Sequence, residues 1–269
     1  MSNKLIEVFD DTLKLISNDK IIRCNTDIAC SSTKVYKENF VSLKRSIKSS
    51  TVNIEVNEQS TFRCAYNCVG SGKTAVLNFA NPYDAGGGVK GGCVAQEESL
   101  CRCSNLYKCL LTETAANDFY EYHKGLTGYV FSDRIIYSPN VTVFKDDNYN
   151  LLDNYYNVDV ITCAAPYNGY KIDEEVLKKT YISRIKNIFE VAMDNEVDNI
   201  VLGAFGCGEF FNSPQLMAEA FKYCIANEYY KYFKKIYFAI LQHGKALNRN
   251  YVVFNTVLQN DKEIRRENK

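Results

Sequence analysis

Apolar residues recur at helical spacing over residues 4–16, where Leu5, Phe9, Leu13 and Ile16 fall three or four apart. Residues 34–48 are polar and basic, a pattern open to either a helix or an exposed connection. Residues 53–56 read as a short strand. The pattern then sharpens. Residues 75–80 form an apolar run that predicts a buried strand, 97–111 predict a helix, and 115–122 predict its continuation or a second helix. Residues 134–137, 141–144 and 158–163 predict strands, and 174–194 a long amphipathic helix. Residues 199–203 predict a strand, 213–228 a helix, 235–241 a strand and 250–258 a last helix. Strands alternating with long helices indicate a layered α/β domain with a largely parallel centre. In such sheets ligands bind beyond the carboxyl ends of the strands.

Composition narrows the function classes. The 269 residues carry 32 Lys plus Arg against 32 Asp plus Glu. That balance argues against coating a nucleic acid with positive charge, and no direct DNA binding is expected. It leaves room for a local anion site built from backbone amides. No stretch approaches the roughly 18 consecutive apolar residues of a membrane span, so no membrane partner is expected. The first residues carry a lysine and three acidic side chains with no apolar core. This is not a secretory signal, and the cytosol or nucleus is the default.

The eleven cysteines are an odd number without a signal peptide, which speaks against a disulfide framework. Cys64/Cys68 and Cys101/Cys103 are the nearest approach to zinc-ligand spacing, and neither pair has a histidine nearby, so no metal and no cofactor are expected. Only His123 and His243 exist, which weakens any Cys-His or Ser-His scheme. His123 sits at an expected helix C-terminus, where the dipole would stabilise it as a cation. His243 follows an apolar strand and reads as a loop residue.

Three glycine-bearing segments flank strands. Gly70-Ser71-Gly72-Lys73-Thr74 suggests a phosphate-binding loop, but the required earlier glycine is Asn67 and the segment precedes a strand instead of opening a helix. It reads as a polar turn. The second segment leaves the strand at Asn78-Phe79-Ala80-Asn81 and runs through Pro82-Tyr83-Asp84-Ala85-Gly86-Gly87-Gly88 to Gly91-Gly92. It then opens a helix at Gln96-Glu97-Glu98. The glycines let a ligand approach backbone amides, and the helix N-terminus favours an anion. Taken alone, Glu97 and Glu98 would simply complement that helix dipole. The third segment, Gly203 to Pro214, also joins a strand to a helix, with Asn212 or Ser213 as cap and Pro214 at the first helical position. Two such loops are suited to form the lips of one phosphate cleft, with Phe210 or Phe211 covering a sugar. A nucleotide diphosphate is the leading ligand class on these grounds.

Gly86-Gly87-Gly88, a seven-residue spacer and Gln96-Glu97-Glu98 resemble the signature of poly(ADP-ribose) glycohydrolases of the microbial type, which are built on the macrodomain fold. Asn78 to Asn81, Arg102 to Tyr107, Ile136 to Asn140, Val143 to Asp147, Thr162 to Pro166 and Gly203 to Pro214 extend the resemblance over roughly residues 50–258. It implies a three-layer α/β/α sandwich with a central mixed, largely parallel sheet. Residues 1–50 would form a helical lead-in packed on a main domain of residues 51–269.

The resemblance also implies the chemistry. The reaction is hydrolysis of the ribose–ribose O-glycosidic bond of poly(ADP-ribose), with ADP-ribose released from chain ends. Glu98 is the implied acid/base and Glu97 the holder of the distal ribose hydroxyls, together with Asn81. Gly86, Gly87 and Gly88 with neighbouring Val89, Gln96, and Gly206, Cys207, Gly208, Glu209 and Phe210 line the implied ligand site, Phe210 against the distal ribose. Adjacent helical residues point roughly 100° apart, so Glu97 and Glu98 should not share one task. In departure from the family, Tyr83 and Asp84 add bulk at the cleft mouth and Phe205 stands where relatives carry tryptophan. A macrodomain that binds ADP-ribose without turnover, or a hydrolase of mono-ADP-ribosylated protein, would use the same loops.

Overall fold

The computed structural model describes residues 2–241 and 248–259, so the loop expected at His243 lies outside the described residues. Seven strands share one sheet: β1 (Lys34–Tyr36), β2 (Asn53–Asn57), β3 (Thr74–Phe79), β4 (Ile135–Lys145), β5 (Leu151–Cys163), β6 (Asn199–Leu202) and β7 (Lys235–Ala239). Their order is β1-β4-β5-β3-β6-β7-β2. From β5 to β2 every pairing is parallel, and β4 runs antiparallel to both of its neighbours. The sheet is therefore mixed and largely parallel, as expected. Its central strands are apolar on both faces because both faces are covered. Ala75 and Leu77 of β3 enter one core while Val76 enters the other.

The helices divide between these faces. α8 (Glu174–Asp194), α9 (Pro214–Cys224) and α10 (Arg249–Gln259) send Leu177, Phe189, Met217, Phe221 and Phe254 into the first core. α1 (Ser2–Asn18), α2 (Lys20–Ser32), α3 (Thr61–Tyr66), α4 (Gln96–Cys103) and α5 (Leu106–Leu110) send Phe9, Ala29, Phe62, Leu100 and Leu106 into the second. None of the helices among the described residues is long and apolar enough to cross a membrane. All eleven cysteines are free thiols.

Four local expectations differ from what forms. The helix expected over 97–111 breaks after Cys103. Ser104 Oγ donates to the Leu100 carbonyl at 2.8 Å, and Asn105 bonds Thr142 of β4 through both backbone N–H and side-chain oxygen. The two strands expected at 134–137 and 141–144 are one strand, β4, with a register shift between Ser138 and Val141. Pro139 and the left-handed Asn140 (φ 55°) break the alternation there without ending the pairing. Residues 34–48 begin as edge strand β1 and continue as an irregular strap along α8, where Glu190 receives the Ser42 amide and the Arg45 guanidinium. α2 is unforeseen. Asp19 caps it by accepting from Ile21 and Ile22 N–H, and exposed Ile21 and Ile28 flank its inward stripe of Ile22, Thr26 and Ala29.

His123 also differs. It lies in α7 (Tyr122–Lys124), the last turn of a helix that runs from α6 (Glu113–Ala115) through a π-turn over Ala116–Glu121. It is fully buried, donates from Nδ1 to the Phe119 carbonyl at 2.8 Å, and accepts at Nε2 from the Ser132 hydroxyl at 3.0 Å. Burial lowers its pKa to about 4, so at neutral pH it is uncharged and adds nothing to the dipole. Its role is to hold Ser132, next to Phe131, whose left-handed backbone (φ 61°) is costly for an aromatic residue.

The native state excludes the His123 imidazolium, which the unfolded chain accepts. Stability is full above the ordinary value of 6.5 and falls on the order of 3 kcal/mol as the pH drops to about 4. Urea titrations across this range should record that fall, and His123→Gln should flatten it. An unchanged slope would refute the neutral assignment.

Candidate active site

The end of β3 and the start of α4 are stitched together by Gln96. Its Nε2 donates to the Leu77 carbonyl at 2.7 Å and to Thr61 Oγ1 at 3.1 Å, and its Oε1 accepts from Phe79 N–H at 2.9 Å. Gln96 thus spends its amide on the scaffold. The stitch sets the first turn of α4 beside the carboxyl end of a central parallel strand, where ligands bind in such sheets. Ala95, at the helix cap position, offers no side-chain bond to the first-turn amides.

Between β3 and α4 the chain turns on Asn81, whose Oδ1 accepts from the N–H groups of Tyr83 (2.8 Å) and Asp84 (3.0 Å). The glycines follow. Gly87 has φ 54°, and a Cβ there would lie 2.5 Å from Glu98 Oε1, so only glycine fits both the backbone and the space. Val89 is buried in the core beneath the loop.

The two glutamates are 3% and 7% exposed, and both carboxylates reach the same loop: a Cβ on Gly87 would lie 2.5 Å from Glu98 Oε1 and 3.2 Å from Glu97 Oε2. Glu97 accepts from Asn78 Nδ2 at 3.1 Å and from Asn81 N–H at 2.8 Å. Burial, with a smaller contribution from the Glu98 charge, pushes its pKa up to about 8 against these hydrogen bonds. Glu98 differs. Its Oε1 accepts the Gly88 N–H at 2.8 Å, while its buried Oε2 has no hydrogen-bond partner among the described residues. One oxygen is fixed by the loop and the other is left without a donor.

The second loop leaves β6. Asn212, 3% exposed, donates to the carbonyls of Pro166 (2.8 Å) and Gly206 (3.1 Å) and accepts from Tyr181 at 2.6 Å. Gly206 is left-handed at φ 70°, with no room for a Cβ against Asn212 and Ala165. Ser213 caps α9 by accepting from Leu216 N–H, and Pro214 takes the first helical position. Burial raises the half-buried Cys207 thiol, and Gly208 and Glu209 are exposed. Phe210 is half-buried, 6.3 Å from the Phe131 ring, and Phe131 is 5.6 Å from Tyr83 of the first loop. These three rings connect the two glycine loops. Asn78 and Phe131 escape sequence reasoning. A lone amide inside an apolar strand is the signal for Asn78. Nothing in the sequence signals the backbone of Phe131.

The family model described as microbial-type PARG, catalytic domain, matches residues 11–146. The chain belongs to this family. Among solved structures, poly(ADP-ribose) glycohydrolase (PARG) from Thermomonospora curvata is 27% identical with a TM-score of 0.86, covering 95% of this chain and 99% of that one. The same protein bound to the inhibitor ADP-HPD aligns at 28% identity and TM-score 0.83, covering 94% and 98%. PARG from Deinococcus radiodurans in complex with ADP-ribose is 31% identical with a TM-score of 0.81, covering 87% and 97%. No curated protein matches the chain. The PARG signature of glycines and glutamates is the part of the chain that assembles around Glu98.

Gly87→Ala brings its methyl against Glu98 Oε1 in a backbone conformation that alanine resists. A loss of about 1 kcal/mol or more in unfolding free energy is expected, with a larger loss of glycohydrolase activity. Thermal melting and polymer turnover measured on the same preparation check both.

Proposed function

We propose that this PARG family member hydrolyses the ribose–ribose O-glycosidic bond of poly(ADP-ribose) from chain ends, with Glu98 as acid and then base. The observation that carries the reading is the pair of Glu98 oxygens, Oε1 pinned by the Gly88 amide and Oε2 buried and unpaired. A protonated Oε2 gives its proton to the leaving ribose oxygen as the bond to the anomeric carbon breaks. The oxocarbenium-like centre is then attacked by water, and Glu98, now a carboxylate, takes the water's proton and returns to its starting state.

Glu97 holds the other side of the site. Accepting from Asn78 and from the Asn81 amide, it fixes the turn on which the distal ribose rests and, with Asn81, holds the ribose hydroxyls. Gly86 to Gly88 and Gly206 to Phe210 offer backbone amides to the diphosphate, and the Phe210 ring packs on the ribose. The substrate is the polymer on protein, the product is ADP-ribose, and no cofactor enters this scheme. Eleven free thiols suit a reducing compartment, cytosol or nucleus.

Purified protein should release ADP-ribose from the polymer. Glu98→Gln, which removes the proton cycle but keeps the shape, should slow release roughly a thousandfold. Calorimetry should find ADP-ribose binding little changed. Full activity in Glu98→Gln would overturn the assignment. Binding without release in the wild type would leave a reader of ADP-ribose in its place.

A further inference from the structure

Arg102 lies four residues after Glu98, so the two side chains leave the same face of α4. It is completely buried, and its hydrogen bonds run to backbone carbonyls instead of to a carboxylate. Nη2 donates to the Cys93 carbonyl at 2.6 Å and Nε to the Leu5 carbonyl at 3.3 Å. Nη1 is buried and has no hydrogen-bond partner among the described residues. A buried cation without a counter-charge is costly, and an apolar side chain of the same volume would fill the space more cheaply.

The bonds made by Arg102 close a ring. It holds the Cys93 carbonyl. Cys93 N–H donates to the Gly88 carbonyl at 3.2 Å, and Gly88 N–H donates to Glu98 Oε1 at 2.8 Å. One turn of α4 joins Glu98 back to Arg102. The glycine loop is thus fastened to the helix that carries the carboxylate. The first helix is fastened to the same residue from behind. Leu5 receives the guanidinium, Thr12 Oγ1 donates to the Arg102 carbonyl at 2.6 Å, and Lys145 Nζ donates to Thr12 Oγ1 at 2.8 Å.

We propose that Arg102, buttressed by α1, is a positioning residue for hydrolysis: it locks the glycine loop so that Gly88 holds Glu98 Oε1 and Oε2 faces the leaving oxygen. This rests on the reading of Glu98 as acid and base. Lysine keeps the charge but lacks two separately aimed N–H groups, so it does not replace arginine.

The test compares Arg102→Met, Arg102→Lys and Thr12→Val with wild type and Glu98→Gln. Each is measured for kcat and KM on the polymer, for calorimetric Kd with ADP-ribose, and for folding by circular dichroism. A misplacement of about 1 Å costs about a hundredfold in rate. Arg102→Met is expected to lose that much kcat while Kd stays within about threefold, and Arg102→Lys to recover little of it. Thr12→Val, which loosens the same carbonyl, is expected to lose several-fold in kcat with Kd unchanged. Near-wild-type kcat in Arg102→Met beside an inactive Glu98→Gln would overturn the proposal and leave the Glu98 reading standing. So would parallel losses of kcat and ADP-ribose affinity. If neither Arg102 variant folds, Thr12→Val decides, and unchanged kcat there overturns the proposal. An active Glu98→Gln would instead overturn the reading beneath it.

Discussion

Two adjacent carboxyl groups, both nearly removed from water, must find hydrogen-bond donors or give up their charge. The architecture around α4 answers that requirement. Donors come from the end of β3, from the turn that follows it, and from the glycine loop, because only backbone and short amides reach so confined a place. Glu97 takes two of them and is raised by burial all the same. Glu98 takes one. That asymmetry, one carboxyl saturated by the protein and one half-satisfied, separates a group that shapes the site from a group with an oxygen to spare.

The fold serves this arrangement through the carboxyl ends of its parallel strands. β3 and β6 pair side by side in the centre of the sheet, and each runs directly into one of the two glycine loops. Gln96 ties the catalytic helix to β3 and Asn212 ties the second loop to the segment after β5. Both are buried or half-buried amides, each spent on two backbone groups and one side-chain hydroxyl. The aromatic rings of Tyr83, Phe131 and Phe210 then join loops that have no backbone pairing of their own.

Much of this was legible from residue order, and the exceptions share a cause. α8 was foreseen at both ends because its period persists for 21 residues and Asp173 caps it. The glycines were legible as a loop joining strand to helix, whereas the glutamates, which alone read as a complement to the helix dipole, stood out only through the resemblance to the family's signature. The break after Cys103, the bulge in β4 and the charge state of His123 were not. Each is decided by a partner elsewhere in the fold: Thr142 for Asn105, Asp159 for the Asn140 amide at 2.9 Å, and Ser132 for the imidazole. The same holds for Glu97. Its sequence neighbourhood suggests only a charge at a helix start, whereas its hydrogen bonds come from Asn78 and the Asn81 amide, 19 and 16 residues away.

The pairing of β3 with β6 bears on when the site comes into being. Lys73 and Asp198, at the lower end of that pairing, are 125 residues apart in the chain. A polypeptide synthesised as far as the end of the family match at residue 146 carries every residue of the glutamate signature but only one of the two glycine loops. The second glycine loop arrives with β6, and closing so long a connection is the slow step in assembling a parallel sheet. The chain therefore holds both glutamates early in synthesis and gains the second glycine loop late, so the full motif exists before the sheet that sets the two loops side by side.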